Sequence, residues 1–252
     1  MEIKNLSYKS HLKDINYVFT YTKIYGIFVN NQAQATLFLE LIAGLIKPSK
    51  GKINAKGKKT YMIFSNSEDQ LISDTVRNEI LSGLDESEIA LNEICEKLSL
   101  PEEMLDRKIS ELSSNEKRLV VIASMLAYNP DIILIDNFLG QLDYQSQKLV
   151  VSILKRLQFD AHKQLIITDQ NVDLLFELID IAIILEDEIV LSANKYEIFK
   201  NKDLLKNTNI ELPNYIKFSD FVLNVKNKEL GYRDRITDII KDVYDNVEKP
   251  LL

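Results

Sequence analysis

Asp136 ends an apolar run at 132–136 (IILID) and is followed at once by Asn137. A carboxylate is the kind of side chain that holds a divalent cation. Its neighbour Asn137 has the shape of Asp but cannot accept a proton, so it cannot act as a general base. Upstream, the loop 29–36 (VNNQAQAT) leads into an apolar stretch of helical character. Thr36 offers a hydroxyl near the helix start, where free N–H groups and the helix dipole favour an anion. Further along, Ser113 and Glu116 stand three apart, the spacing of a capping box, with Ser114 and Asn115 between them. Asn reaches the left-handed backbone region at lower cost than most residues. Glu68, Asp69, Gln70 and Asp74 gather acceptors in one short stretch. The two histidines, His11 and His162, read as surface residues, and no metal is expected.

The elements that must position these groups alternate between two periods. Short β-rich runs at 3–8, 15–19 and 24–29 open the chain, with turns at Lys13-Asp14 and Thr22-Lys23. A buried apolar helix is expected from about 36 to 45, ended by Lys47-Pro48. A strand follows at 60–64, then a charged helical insert at about 73–112. Helix 115–127 leads into the strand 132–136, whose uninterrupted apolar run is of buried parallel type. Helix 149–157, strand 164–168, helix 171–179 and a hairpin at 181–191 complete the pattern. Strands alternating with helices give an α/β fold with a mainly parallel sheet and a small antiparallel part. The chain divides into a main domain, 1–200, and a charged helical appendage, 201–252. In the appendage Ile236, Ile239, Ile240, Val243 and Val247 recur at helical spacing, a stripe that suits either the protein's own body or a partner.

Three blocks together resemble the ATP-binding subunits of ABC transporters: GIFVNNQAQATLFLELIAGLIKPSKG at 26–51, SNSEDQLISDTV at 65–76, and LSSNEKRLVVIASMLAYNPDIILIDNFLGQLD at 112–143. The middle block is similar to N-P-E-D-Q-L-x-x-x-T-V of the energy-coupling-factor and cobalt-type group. The resemblance implies an ABC ATPase core, akin to other phosphate-loop NTPases, over residues 1 to about 200. It also identifies what is missing. Family members read G-x-x-G-P-N-G-S-G-K-S-T in the first block, where backbone N–H groups and the Lys cradle phosphates. Here the glycine positions are Val29, Gln32 and Gln34, and the Lys position is Ala35. A β-branched Val at positive φ would be an outlier, so the loop is expected to follow a different path. Ser65 stands where the family has a Gln that senses the γ-phosphate, Asn137 at the Glu that activates water, and Asp169 at the switch His. A carboxylate at 169 would repel that phosphate. Thr36 and Asp136 survive as the hydroxyl and carboxylate of a vestigial Mg²⁺ site.

The resemblance therefore implies no cofactor on the chain's own site. Its loop is either filled by its Gln side chains or left as a weak anion site. It further implies an intact ATPase subunit as partner, with MgATP shared across a head-to-tail sandwich. Ser113, Ser114 and Asn115 would face the partner's nucleotide, or act simply as a helix cap. Glu68, Asp69, Gln70 and Asp74 would receive basic groups of a transmembrane coupling protein, or serve as local caps and dipole partners. The location implied is peripheral, on the cytoplasmic face of the membrane. An interaction protein that uses this fold without nucleotide turnover is the alternative, and an active ATPase of unusual chemistry a third.

Composition agrees with a globular chain and narrows its partners. The 252 residues are 46% hydrophobic and 27% charged, and the net charge of −7 argues against nucleic acid. The lone Cys95 reads as buried filler in a reducing compartment. No run of about 18 apolar residues occurs. Seven glycines are few for this length, and the absent ones are largely those a nucleotide loop needs.

Overall fold

The computed structural model describes residues 1–21, 23–83, 88–208, 210–226, 241 and 244. Six strands form the main sheet: β3 (Ile24–Phe28), β5 (Thr60–Ile63), β6 (Ile132–Asp136), β7 (Gln164–Thr168), β8 (Ile181–Leu185) and β9 (Ile189–Asn194). Their order is β5-β6-β7-β3-β8-β9, parallel throughout except for the β8–β9 hairpin. Every residue of β3, β6 and β7 is buried, as expected for central strands covered on both faces. A smaller antiparallel sheet joins β1 (Glu2–Tyr8), β2 (Leu12–Val18) and β4 (Lys50–Asn54) in the order β2-β1-β4.

Alternate strand residues face opposite sides, so the main sheet feeds two cores. Tyr25, Ile27, Leu134 and Ile166 pack with the small sheet and with helix α1 (Gln32–Ala43). Ile24, Phe28, Ile133, Ile135 and Ile167 face the other way. There they meet α4 (Ser114–Tyr128), α5 (Tyr144–Phe159) and α6 (Val172–Leu178). The expected insert at about 73–112 is present as α2 (Val76–Leu81), α3 (Glu88–Leu98) and 3₁₀ turns at Glu102–Met104 and Ile109–Glu111, whose apolar residues join the second core.

Four elements differ from the sequence expectation. Strand β2 begins at Leu12, so Lys13-Asp14, expected as a turn, lies inside it and the turn falls at 9–11. Helix α1 starts at Gln32, four residues earlier than expected, because Asn31 caps it by accepting from the Ala33 N–H at 3.1 Å. With Gln and Ala where glycines would be, these residues prefer helix to an open loop. Strand β4 was not expected at all: KGKIN has no apolar alternation, and its pairing with β1 makes it an edge strand. Helix α5 begins at Tyr144 rather than 149, capped by Asp143, which accepts from the Ser146 N–H at 2.8 Å.

Beyond β9 lie α7 (Lys195–Lys200), α8 (Lys202–Asn207) and α9 (Asn214–Lys226). Among the described residues, Ile198, Phe199, Leu205 and Ile216 join the second core. The apolar stripe from Ile236 to Val247 lies outside the described residues.

Candidate functional site

The carboxyl ends of β3, β6 and β7 open toward the start of α1. Asp136 lies there fully buried. Thr36 Oγ1 donates to its Oδ2 at 2.7 Å, and Gln32 Nε2 donates to its Oδ1 at 3.0 Å and to Thr168 Oγ1 at 3.3 Å. Burial raises the Asp136 pKa; the Thr36 and Gln32 hydrogen bonds oppose that rise, and the nearby Asp169 charge adds to it. The Gln32 amide thus satisfies the carboxylate from within the chain. Gln34 turns the other way, its Nε2 donating to the His11 carbonyl at 3.3 Å. Ala35 is completely buried. Val29, Gln32 and Gln34 all avoid positive φ, in keeping with a path unlike a glycine loop.

A second set of contacts binds the loops after β6 and β7. Asn137 adopts φ 45°, which Asn tolerates, and donates its N–H to the Thr168 carbonyl at 2.8 Å. Its Oδ1 accepts from the Gln170 N–H at 3.2 Å. Asp169 is buried, its Oδ2 accepting from the Gly140 N–H and its Oδ1 from the Asn171 N–H, both at 2.9 Å. Burial raises its pKa against these backbone bonds. A Cβ at Gly140 would sit 2.7 Å from Asp169 Oδ1, so a larger residue there would displace the carboxylate. Gln141, which no sequence pattern singled out, donates to the Ser65 carbonyl at 3.1 Å and to the Asn137 carbonyl, while accepting from Arg118 Nη2 at 3.2 Å. Ser65 therefore enters the network through its backbone.

At the start of α4 the expected capping box is complete. Ser113 N–H and Oγ donate to Glu116 Oε2 at 2.8 and 2.7 Å, and the Glu116 N–H returns to Ser113 Oγ at 3.3 Å. The Ser113 bonds and Arg107 hold the Glu116 carboxyl below its ordinary pKa. Ser113 and Ser114 are both exposed. Asn115 is helical rather than left-handed. Its Oδ1 accepts from the Asp143 N–H at 3.1 Å and its Nδ2 donates to Ser146 Oγ at 3.0 Å, locking α4 to the start of α5.

The acidic stretch before α2 is tied down by its own acceptors. Glu68 bonds Ser114 and forms an ion pair with Lys117 at 3.0 Å, and these contacts lower its pKa. Gln70 spends both ends of its amide at the end of β5, donating to the Met62 carbonyl and accepting from the N–H of Phe64, the residue after the strand, each at 2.8 Å. Asp69 accepts from Asn66 Nδ2 and remains exposed, as does Asp74. Buried Glu79, another residue sequence patterns did not reveal, accepts from the N–H groups of Ile72 and Ser73 at 3.1 and 2.8 Å. This bond pair holds Ile72 outward, 87% exposed.

A parallel sheet whose strand ends meet a helix start, with Thr and Asp facing each other across that junction, defines the class of the nucleotide-binding α/β cassettes. A family model described as ABC transporter matches residues 12–139. The energy-coupling factor transporter ATP-binding protein EcfA1 of Mesomycoplasma hyopneumoniae is 30% identical over 226 residues, covering 82% of this chain and 83% of that protein. EcfA2 of Staphylococcus aureus is 28% identical over 253 residues, covering 90% and 86%. A solved structure of cbiO1 from Clostridium perfringens, described as part of the ABC transporter complex cbiONQ, superposes with a TM-score of 0.68 at 18% identity. It covers 87% of this chain and 98% of its own. The chain belongs to the ABC transporter ATP-binding family, and its named relatives are energy-coupling factor ATP-binding proteins.

Proposed function

We propose that this chain is a catalytically degenerate ATP-binding-cassette subunit of an energy-coupling-factor type importer, paired with an intact ATPase subunit beneath a membrane protein. One observation carries the reading: the Gln32 amide is bonded to Asp136 and Thr168, while Ala35 offers no cation. The residues present do not fit MgATP on this side. A phosphate group would meet no cation at 35, two carboxylates at 136 and 169, and an amide already in the way. Loss of one or two charge-assisted hydrogen bonds, each worth about 1.5–3 kcal/mol, lowers affinity by roughly tenfold to several-hundredfold or more. Asn137 supplies no base.

The other end of the cassette has a different character. Ser113 and Ser114 are exposed at the first turn of a 15-residue helix, a position suited to a phosphate held by the sister subunit. Glu68 joins the acidic stretch to that same helix through Ser114 and Lys117. Asp69, Asp74 and Ile72, all exposed, would take the contact with the membrane protein, and Glu68 would relay it to the start of α4. Gln70 is committed to β5 and takes no part in this contact. Among the described residues no helix is long and apolar enough to cross a membrane.

The test is calorimetric titration of the isolated chain with MgATP, alongside phosphate release. Weak binding and background hydrolysis are expected, and Ala35→Lys should restore little of either tight binding or turnover, since Asn137 and Asp169 are unchanged. A dissociation constant in the low micromolar range, or steady turnover lost in Asp136→Asn, defeats the degenerate reading.

A further inference from the structure

The chain's charge is divided unevenly. Residues 1–60 contain ten lysines and no arginine against Glu2, Asp14 and Glu40, while the whole chain has 31 basic and 38 acidic residues. A protein of net charge −7 thus has a strongly basic end. All ten of these lysines are exposed. Three have carboxylate partners: Lys4 with Glu2, Lys13 with Asp187 and Lys58 with Asp131. Lys9, Lys47, Lys50 and Lys52 have none among the described residues.

The small sheet brings Lys50 and Lys52 together with Lys4 and, at the end of β1, with Lys9, whose ammonium lies 5.1 Å from the Tyr8 ring. β4 pairs with β1 so that Lys52 lies opposite Lys4, and Lys50 opposite Ser7. Like charges directly across an antiparallel pair are destabilising, so the fold gains nothing from this arrangement. The backbone sustains it at a cost in conformational freedom: Asn5 is left-handed at φ 50°, and Gly51 has φ +82°, where a Cβ would lie 2.2 Å from the Asn5 carbonyl. At the same end the Ser49 N–H donates to the Ser7 carbonyl at 2.9 Å and the Lys9 N–H to Ser49 Oγ at 3.1 Å. These bonds and the Ser7–Lys50 pairing draw Lys9 and Lys50 to one end of the sheet. Lys4, Asn5, Ser7, Asp14, Lys50 and Lys52 are among the residues around a shallow open hollow there. Leu45, 59% exposed, precedes Lys47 by two residues.

We infer that this face docks on an anionic lipid surface. Bidentate recognition of a carboxylate or phosphate favours arginine, and residues 1–60 have none. Lysines spread over an open face suit a diffuse layer of negative headgroups better than one acidic peptide. Contact with such a layer would also relieve the Lys4–Lys52 repulsion. The inference adds a direct lipid contact to the membrane-protein contact proposed above and does not depend on it.

Flotation of the purified chain with vesicles tests it without any transporter partner. Vesicles containing 30% phosphatidylglycerol in phosphatidylcholine should carry the protein at low salt, and pure phosphatidylcholine vesicles should not. Each lysine near such a surface contributes about fivefold, or ~1 kcal/mol, to binding. Lys50→Glu/Lys52→Glu should therefore lower partitioning by roughly 25-fold or more. Lys148→Glu, on α5 away from the sheet, should leave it unchanged, and 0.5 M salt should release the wild type by screening. Both lysines are exposed on an edge strand, and an unchanged melting temperature would show that the double variant is folded. Binding equal on both vesicle types, or undiminished in that variant, overturns the inference. Retention by an immobilised acidic peptide or by DNA at the same salt, with no flotation, overturns it in favour of another polyanion.

Discussion

The two ends of the cassette that would face nucleotide differ in how their side chains are employed. At the phosphate-loop end, the groups that should reach outward reach inward. Gln32 bonds Asp136, Asn137 bonds the Gln170 N–H, and Asp169 bonds two backbone N–H groups. At the α4 end, Ser113 and Ser114 are braced by Glu116 and Glu68 but remain exposed at the helix start. Chemistry needs donors and acceptors that stay unsatisfied until the ligand arrives. A buried site whose polar groups are paired within the chain has turned that capacity into stability, whereas Ser113 and Ser114, although paired, are exposed and can exchange those partners for a ligand. On the function proposed above, this chain would lose its own reaction while keeping a surface that completes another.

The largest effect should come from loading the exposed end. In the assembled complex, Ser113→Arg is expected to lower ATP turnover by roughly tenfold or more, with the sister subunit's ATP affinity nearly unchanged. A contact that strengthens only as the two subunits close acts on turnover rather than on initial binding. Turnover at the unmutated rate would make the two ends alike in having no chemical role.

The inward-facing end should respond in stability. Asp169→Ala leaves the Gly140 and Asn171 N–H groups without their acceptor, at a cost of about 1–3 kcal/mol. That is a fall of roughly 2–4 °C in Tm per kcal/mol for a chain of this size. Asp169→Asn, which keeps one acceptor oxygen, should fall less. Thermal melts in which Asp169→Ala matches the wild type would mean that the carboxylate is not holding the two loops together.

The smallest effect concerns Asp136. A carboxyl whose folded pKa is raised adds stability that is complete below its unfolded value, near 3.9, and is lost as pH rises through the folded value. Asp136→Asn removes that loss and keeps both contacts, since its amide can accept from Gln32 and donate to Thr36. The variant's Tm should therefore exceed the wild type's by a margin that widens between pH 4 and pH 7, and Asp169, raised in the same direction, keeps some slope in both proteins. A margin that is flat or negative across that range would show that burial is not what shifts Asp136.

Most of the architecture was legible in the sequence. The runs 132–136 and 164–168 match β6 and β7 to the residue, because central strands buried on both faces must be apolar throughout. The capping box at Ser113 could be read from spacing alone, since both partners lie within one helical turn. Edges and long-range polar contacts were not legible. β4 carries lysines and has no apolar signal; only its pairing with β1 makes it a strand.

The amino-acid sequence by itself determined the family, the order of the elements and the absence of a cation at 35 and a base at 137. These depend on residue type and local spacing, which the chain carries wherever it folds. Tertiary structure alone decided which way the side chains that remain would turn. Gln32 meets Asp136 across 104 residues, Gly140 meets Asp169 across 29, and Gln141 meets Ser65 across 76. Such pairings follow from which strand ends the parallel sheet sets side by side, and a buried polar group takes the nearest partner that this geometry provides.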